Sequence, residues 1–256
     1  MFQEHFYGKN VHIVSSPLMH SWLARLGLAA TVQPQIDELV TMLYEHLFDV
    51  VIDQSFPVKK LQYETRMKSV HPEGILTGEF IDQETFAVSV GLARAGTLPS
   101  QLCYRKMNYL LDPKNVRQDH FYISRAVNEK NEVTGVTVSG SKIGGGVENA
   151  IVLFPDPMGA TGSTIVEAVR HYKTLGKPKA MIALHLIITP EYLAKVTKEC
   201  PELRVFALRL DRGLSPVDVL KEIPGKRWKE EKGLNSHHYI VPGAGGLGEI
   251  LNNSYC

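Results

Sequence analysis

Cysteine is scarce: the 256 residues hold three, Cys103, Cys200 and Cys256, odd in number and far apart. That excludes a disulfide framework and a zinc site, so they read as reduced, structural thiols. Ten histidines include the run "SHHYIV" at 236–241, yet no His-x-x-x-His pair falls on a convincing helix with a carboxylate partner, which disfavours a transition-metal centre. An excess of one charge is missing too. The 28 Lys and Arg against 27 Asp and Glu leave a net charge of +1, no electrostatic footprint for nucleic acid. No apolar run approaches the roughly 18 residues that span a bilayer. The opening "MFQEHFYGKN" lacks the basic-then-apolar order of a secretory signal. The expectation is a cytoplasmic protein with no membrane or nucleic-acid partner. Internal repeats and low-complexity tracts are absent as well.

What is present is a 44% hydrophobic chain long enough for one sizeable core, expected as a single domain over 1–256 with an appended hood or arm. "VHIVSSP" begins as a strand, and Pro17 suits the first turn of a helix to about Leu28. Ile36, Leu39, Val40, Leu43, Leu47 and Val50 follow the three-four spacing of an amphipathic helix. Residues 58–83 read as short strands or an arm. From 119 to 140 the alternation predicts a strand pair turned at "NEKNE", and "GSKIGGG" after it is expected to be flexible. From 150 onward strands alternate with helices, which predicts a mostly parallel α/β sheet. Residues 213–235, with mixed charge and two prolines, read as a solvated loop or surface helix outside that sheet.

The stretch "VLFPDPMGATGST", residues 152–164, falls where a parallel sheet gathers its ligands, between a strand end and a helix N-terminus. Gly159 and Gly162 let backbone approach a ligand. Thr161, Ser163 and Thr164 add hydroxyls beside unpaired N–H groups, a cradle for one phosphate. Asp156 is placed to accept hydrogen bonds from the hydroxyls of an attached sugar. The Walker A pattern and the Gly-x-Gly-x-x-Gly fingerprint are both absent. A plain capping turn, with Thr161 as N-cap and Asp156 as a solvated turn residue, explains the same residues singly.

The stretch resembles the phosphoribosyl pyrophosphate (PRPP) motif of type I phosphoribosyltransferases, in the version found in the uracil phosphoribosyltransferase family. "NSHHYIVPGAGGLGEIL", 235–251, is similar to that family's uracil-binding segment, and "GLARAG", 91–96, resembles its strand-end Leu-Arg-Ala-Gly. Weaker traces lie in "SPLMHSWLARLGLAAT" and "YISRAVNE". The resemblance implies a mostly parallel sheet flanked by helices, with a hood or arm from the N- and C-terminal segments. It further implies that Asp156, Pro157, Met158, Gly159, Ala160, Thr161, Gly162, Ser163 and Thr164 bind the ribose 5-phosphate part of PRPP. Arg94 and Arg125 would face pyrophosphate; surface ion pairs are the plain alternative for both. Ile240, Gly245, Gly246 and Leu247 would close on uracil, with Tyr239 as a pocket wall. Mg²⁺ would arrive with PRPP, and a homodimer or higher homo-oligomer is implied.

The pattern is broken in places. Gly246 stands where the family has an aspartate on the PRPP side of the site, and Glu249 stands for its second acid. Gly27 falls near the place of an arginine, with Arg25 displaced, and 213–235 looks like an insertion. The expected reaction is phosphoribosyl transfer from PRPP to N1 of uracil, with Glu249 either a general base or a helix-start acid. A PRPP- or nucleotide-sensing regulator without turnover, a different acceptor base, and an interaction module around 213–235 stand as alternatives.

Overall fold

The computed structural model describes residues 2–127 and 133–254, with the side chains of 123–138 outside the description. The expected turn at 128–132 lies outside the described residues.

The chain opens with β1 (Val11–Ile13), α1 (Pro17–Leu26) and α2 (Gln35–Ser55). Ser16 caps α1 by accepting from the Met19 amide, and Pro17 starts the helix, where its missing N–H costs nothing. On α2 the buried residues are Ile36, Leu39, Val40, Leu43, Tyr44, Leu47, Phe48, Val51 and Ile52, one stripe at helical spacing. Next come β2 (Val58–Glu64) and β3 (Ile75–Ile81), an antiparallel hairpin that forms its own two-stranded sheet. β4 (Ala87–Ala93), α3 (Thr97–Leu110), β5 (Val116–Val127) and β6 (Val133–Lys142) follow. Then come β7 (Ile151–Pro155), β8 (Met158–Gly159), α4 (Ser163–Lys173), β9 (Ala180–Ile188), α5 (Pro190–Glu199) and β10 (Arg204–Leu210). Two single-turn α-helices, α6 (Val217–Leu220) and α7 (Leu247–Ile250), follow, and three short 3-10 turns lie at Arg66–Ser69, Pro113–Asn115 and Trp228–Glu230.

The main sheet runs β1-β10-β9-β7-β4-β5-β6, with β8 added beside β9. Every pairing is parallel except β5 with β6. β7 and β9 are buried on both faces, Ile151–Pro155 throughout and Met181–Ile188 throughout, as a sheet covered on both sides requires. One face carries a core built with α1, α2 and α3, around Leu43, Tyr44, Leu47, Met107 and Phe206. The other is covered by α4 and α5 through Ile165, Val169, Tyr172, Tyr192 and Val196.

One expectation is corrected and another is sharpened. Residues 140–146 are fastened rather than loose: Asp119, fully buried, accepts from the Gly144 amide at 2.9 Å, from the Arg117 guanidinium at 2.9 and 3.0 Å, and from the Tyr172 hydroxyl at 2.9 Å. Arg117 also donates to the Gly145 and Gly146 carbonyls. Residues 213–235 lie outside the sheet and carry the short surface helix α6, as expected, but they are clasped to the body rather than loose. Arg212 and the buried Glu231 pair at 2.8 Å, Tyr7 donates a short hydrogen bond to Glu231, and Arg212 caps the carbonyls of Val219, Leu220 and Glu222. Trp228 stacks edge-on against Tyr7 and donates to the Pro190 carbonyl.

Candidate functional site

β7 ends at Pro155, in the middle of the sheet, and the chain turns away at Asp156. It then pairs briefly with β9 (Met158 beside Ile187, Gly159 beside Ile188) and enters α4 at Ser163. Two glycines make this path possible. A Cβ on Gly159 would lie 2.8 Å from Ile188 Cγ2 and 3.3 Å from His185 Cγ, and Gly162 has φ of 80°, a left-handed conformation that side chains resist. Gly162, not Thr161, occupies the cap position of α4, and no side chain caps the helix. The Thr161 hydroxyl reaches only to 3.5 Å from the Ser163 amide. The capping-turn reading is thereby weakened, and Ser163, Thr164 and Ile165 of the first turn of α4 line the cavity described below.

Beneath the loop lies a fully buried histidine. His185 Nδ1 donates to the Asp156 carbonyl at 2.5 Å, since a carbonyl can only accept, and Nε2 accepts from the Tyr192 hydroxyl at 2.6 Å. Burial lowers the imidazole to about 4, so it is neutral at pH 7. Both ring nitrogens are thus satisfied while they tie β9 and α5 to the start of the loop. Burial also pushes the Asp156 carboxyl up to about 7, offset in part by the Met158 amide.

The opposite wall comes from the C-terminal segment, which is bolted to the end of β10. Asp211 receives Arg209 at 2.6 and 2.8 Å and the Gly243 amide at 2.7 Å, while Arg209 also donates to the Gly243 carbonyl. The Glu191 carboxylate, at the start of α5, accepts from the Gly233 and Leu234 amides, and Leu234 bridges to Ile240. These bonds hold Ile240 and the turn at 243–246 against the sheet. Gly27, at the end of α1, abuts the same turn, where a Cβ would come within 3.3 Å of the Gly243 carbonyl. Glu249 folds back over Gly246: a Cβ on Gly246 would meet Glu249 Oε2 at 1.8 Å. The Glu249 carboxylate thus fills the space that a side chain at 246 would take.

The two walls enclose one cavity of about 920 Å³. Asp156, Met158, Gly159, Ala160, Thr161, Gly162, Ser163 and Thr164 line it, together with Arg94, Ile240, Gly245, Gly246, Leu247, Glu249 and Tyr239. Pro157 is buried behind the loop and does not line it. Arg125 lies on β5, and its side chain is outside the described residues. Arg94, in the turn after β4, donates a short hydrogen bond to the Ser254 hydroxyl. Sequence reasoning missed Tyr122, Ser139, Tyr192, Lys195 and His238, which line the same cavity. Tyr192 and Lys195 were findable, because α5 follows the carboxyl end of β9 as α4 follows that of β7, and they sit three residues apart on one helix face. The arrangement offers an anion cradle at one end, peptide edges at the other, and a guanidinium on the wall they share.

A family model described as uracil phosphoribosyltransferase matches residues 13–225. The chain belongs to the uracil phosphoribosyltransferase family. With it the chain joins the pentosyl-transferring enzymes, on the type I phosphoribosyltransferase fold that the resemblance implied. A uracil phosphoribosyltransferase of Variovorax paradoxus is 26% identical over 252 residues, covering 94% of this chain and 97% of that protein. One from Thermococcus sibiricus is 33% identical over 98 residues, 38% of this chain, which spans only 34% of that relative's length. Among solved structures, the AQ2163 protein from Aquifex aeolicus aligns with a TM-score of 0.70 at 20% identity, over 94% of this chain and 97% of that one, a likeness of fold. The family match stops at residue 225, short of the segment around Ile240.

Proposed function

We propose that this chain transfers the phosphoribosyl group of PRPP to N1 of uracil, forming UMP and releasing pyrophosphate, in pyrimidine salvage in the cytoplasm. One observation carries the reading: the phosphate loop and the C-terminal segment line the same cavity, as a two-substrate transfer requires. The 5-phosphate sits in the cradle from Gly159 to Thr164, and Asp156 accepts from the ribose hydroxyls. Pro157 acts from behind by fixing the turn. Arg94 and Arg125 face pyrophosphate with planar donors suited to its oxygens. Peptide groups around Ile240, Gly245, Gly246 and Leu247 meet the alternating N–H and C=O edge of the base. The whole of 1–256 acts as one domain, with 213–235 as an insertion that braces the C-terminal wall.

Bond breaking runs ahead of bond making, so the ribose passes through an oxocarbenium-like state and the protein's work is positioning and charge stabilisation. Among the described residues no group of three or more His, Cys, Asp or Glu converges on a metal position. Mg²⁺ would be carried in on pyrophosphate oxygens and water, and of the residues lining the cavity Asp156 and Glu249 bear the carboxylates that would help to hold it. The ion, when bound, neutralises pyrophosphate charge. Glu249, filling the space over Gly246, takes the part of the family's missing aspartate and is the candidate to accept the uracil proton.

Gly246 also supports a second reading, a PRPP-binding regulator without turnover. A steady-state assay with PRPP and Mg²⁺ against a panel of bases separates the two. UMP from uracil, with purines at least tenfold slower, is the expected result; PRPP binding by calorimetry with no nucleotide formed would sink the enzyme reading.

A further inference from the structure

The phosphate loop has a charge deficit. From residue 156 to 164 its only ionisable side chain is Asp156, a carboxyl, so the loop's own residues offer a phosphate monoester neutral dipoles and no cation. Such a group carries about −1.5 to −2 at pH 7. Arg94 lines the cavity in the turn after β4, not on the loop or on the helix beside it.

α5 packs directly against the loop. A Cβ on Gly162 would meet Val196 Cγ1 at 3.1 Å, the Tyr192 carbonyl at 3.4 Å and Lys195 Cβ at 3.5 Å, so Lys195 stems from the wall beside the first turn of α4. Its side chain lines the cavity and is 37% exposed. Its ion pair with Glu199 is loose, at 3.4 Å, whereas the other Glu199 oxygen holds Arg170 at 2.6 Å. Lys195 can therefore swing to an anion in the cradle without leaving Glu199 uncompensated, and its long, flexible stem suits a point charge that follows a phosphate.

We infer that Lys195 is a ribose-5-phosphate-binding residue, supplying from α5 the positive charge that the phosphate loop lacks. The inference rests on the reading of that loop as the 5-phosphate cradle. It makes the donor subsite a joint product of two neighbouring strand-helix units rather than of one.

Calorimetry with ribose 5-phosphate and, separately, with inorganic pyrophosphate tests it on the full-length protein. Lys195→Ala should weaken ribose 5-phosphate by about tenfold, the scale of one charge-assisted hydrogen bond at a partly exposed site, and leave pyrophosphate within twofold. Lys195→Arg should recover most of the loss, and in steady state KM for PRPP should rise in the alanine variant while KM for uracil holds. If the native protein binds ribose 5-phosphate and Lys195→Ala binds it equally well, the role of Lys195 is refuted and the loop reading survives. If the native protein does not bind ribose 5-phosphate at all, both fall. Equal weakening of both ligands would mark a general disturbance and overturn the assignment.

Discussion

Asp156 holds a carboxyl that its surroundings disfavour as an anion. Raised from 3.8 to about 7, it binds more protons in the folded than in the unfolded chain between roughly pH 4 and 7, so on its account stability falls as pH rises through that window and is flat above it. His185 acts oppositely. Lowered from 6.5 to about 4, it keeps its proton better in the unfolded chain, and its contribution is lost as pH falls from 6.5 to 4. The comparison that isolates Asp156 is therefore between variants. Asp156→Asn should match the native protein in Tm near pH 4, exceed it increasingly up to about pH 7 and keep a constant margin above that. The ceiling is about 4 kcal/mol for a shift of that size, and water reaching the half-buried side chain cuts it to roughly 1–3 kcal/mol. A Tm difference that stays flat across the range would contradict the buried-acid account. A group that is costly when the loop is empty suits a residue whose acceptor oxygens wait for ribose hydroxyls.

At the scale of elements, the segment 213–235 is held by a buried charge pair, and that makes it testable apart from the site. Glu231, itself buried, receives Tyr7, Arg212 and the Gly225 amide. Glu231→Ala would leave Arg212 facing a buried gap and should cost about 3–5 kcal/mol by urea unfolding. Hydrogen exchange should quicken first across 219–233; protection there equal to the native protein's would argue against the clasp. Sequence reasoning took this segment for a solvated loop or surface helix and did not see its clasp, because Arg212 and Glu231 are 19 positions apart and Tyr7 is 224 from Glu231. The phosphate loop was legible for the opposite reason. Its strand, two glycines, hydroxyls and amphipathic helix are consecutive, so their chemistry is written in one window. The support under it was not, since His185 meets Asp156 across 29 positions and only the fold brings Tyr192 to its other nitrogen. Thr161 offered itself as an alternative cap because its spacing is right, whereas the backbone gives that position to Gly162.

At the scale of the whole molecule, the parallel sheet was legible in the strand-helix alternation after 150, while the arm at 58–81 poses a question that one chain does not answer. β2 and β3 pair only with each other, and an isolated two-stranded hairpin is marginally stable in water. Val58, Tyr63, Met67, Val70, Ile75 and Leu76 are all exposed on it. Burying such side chains gains about 1.5–3 kcal/mol each, so a second copy of the chain offers the arm what its own core does not. The expected state is a homodimer or higher homo-oligomer. Light scattering on the native protein should give at least twice the monomer mass, and Leu76→Lys with Val58→Lys should shift it toward the monomer while leaving the far-ultraviolet circular dichroism intact. A native protein that stays monomeric at tens of micromolar would mean that the arm closes on something else. Because the arm joins α2 to β4, and β4 leads into the turn that carries Arg94, dissociation that lowers the proposed transfer activity without loss of fold would tie assembly to the end of the cavity that Arg94 lines.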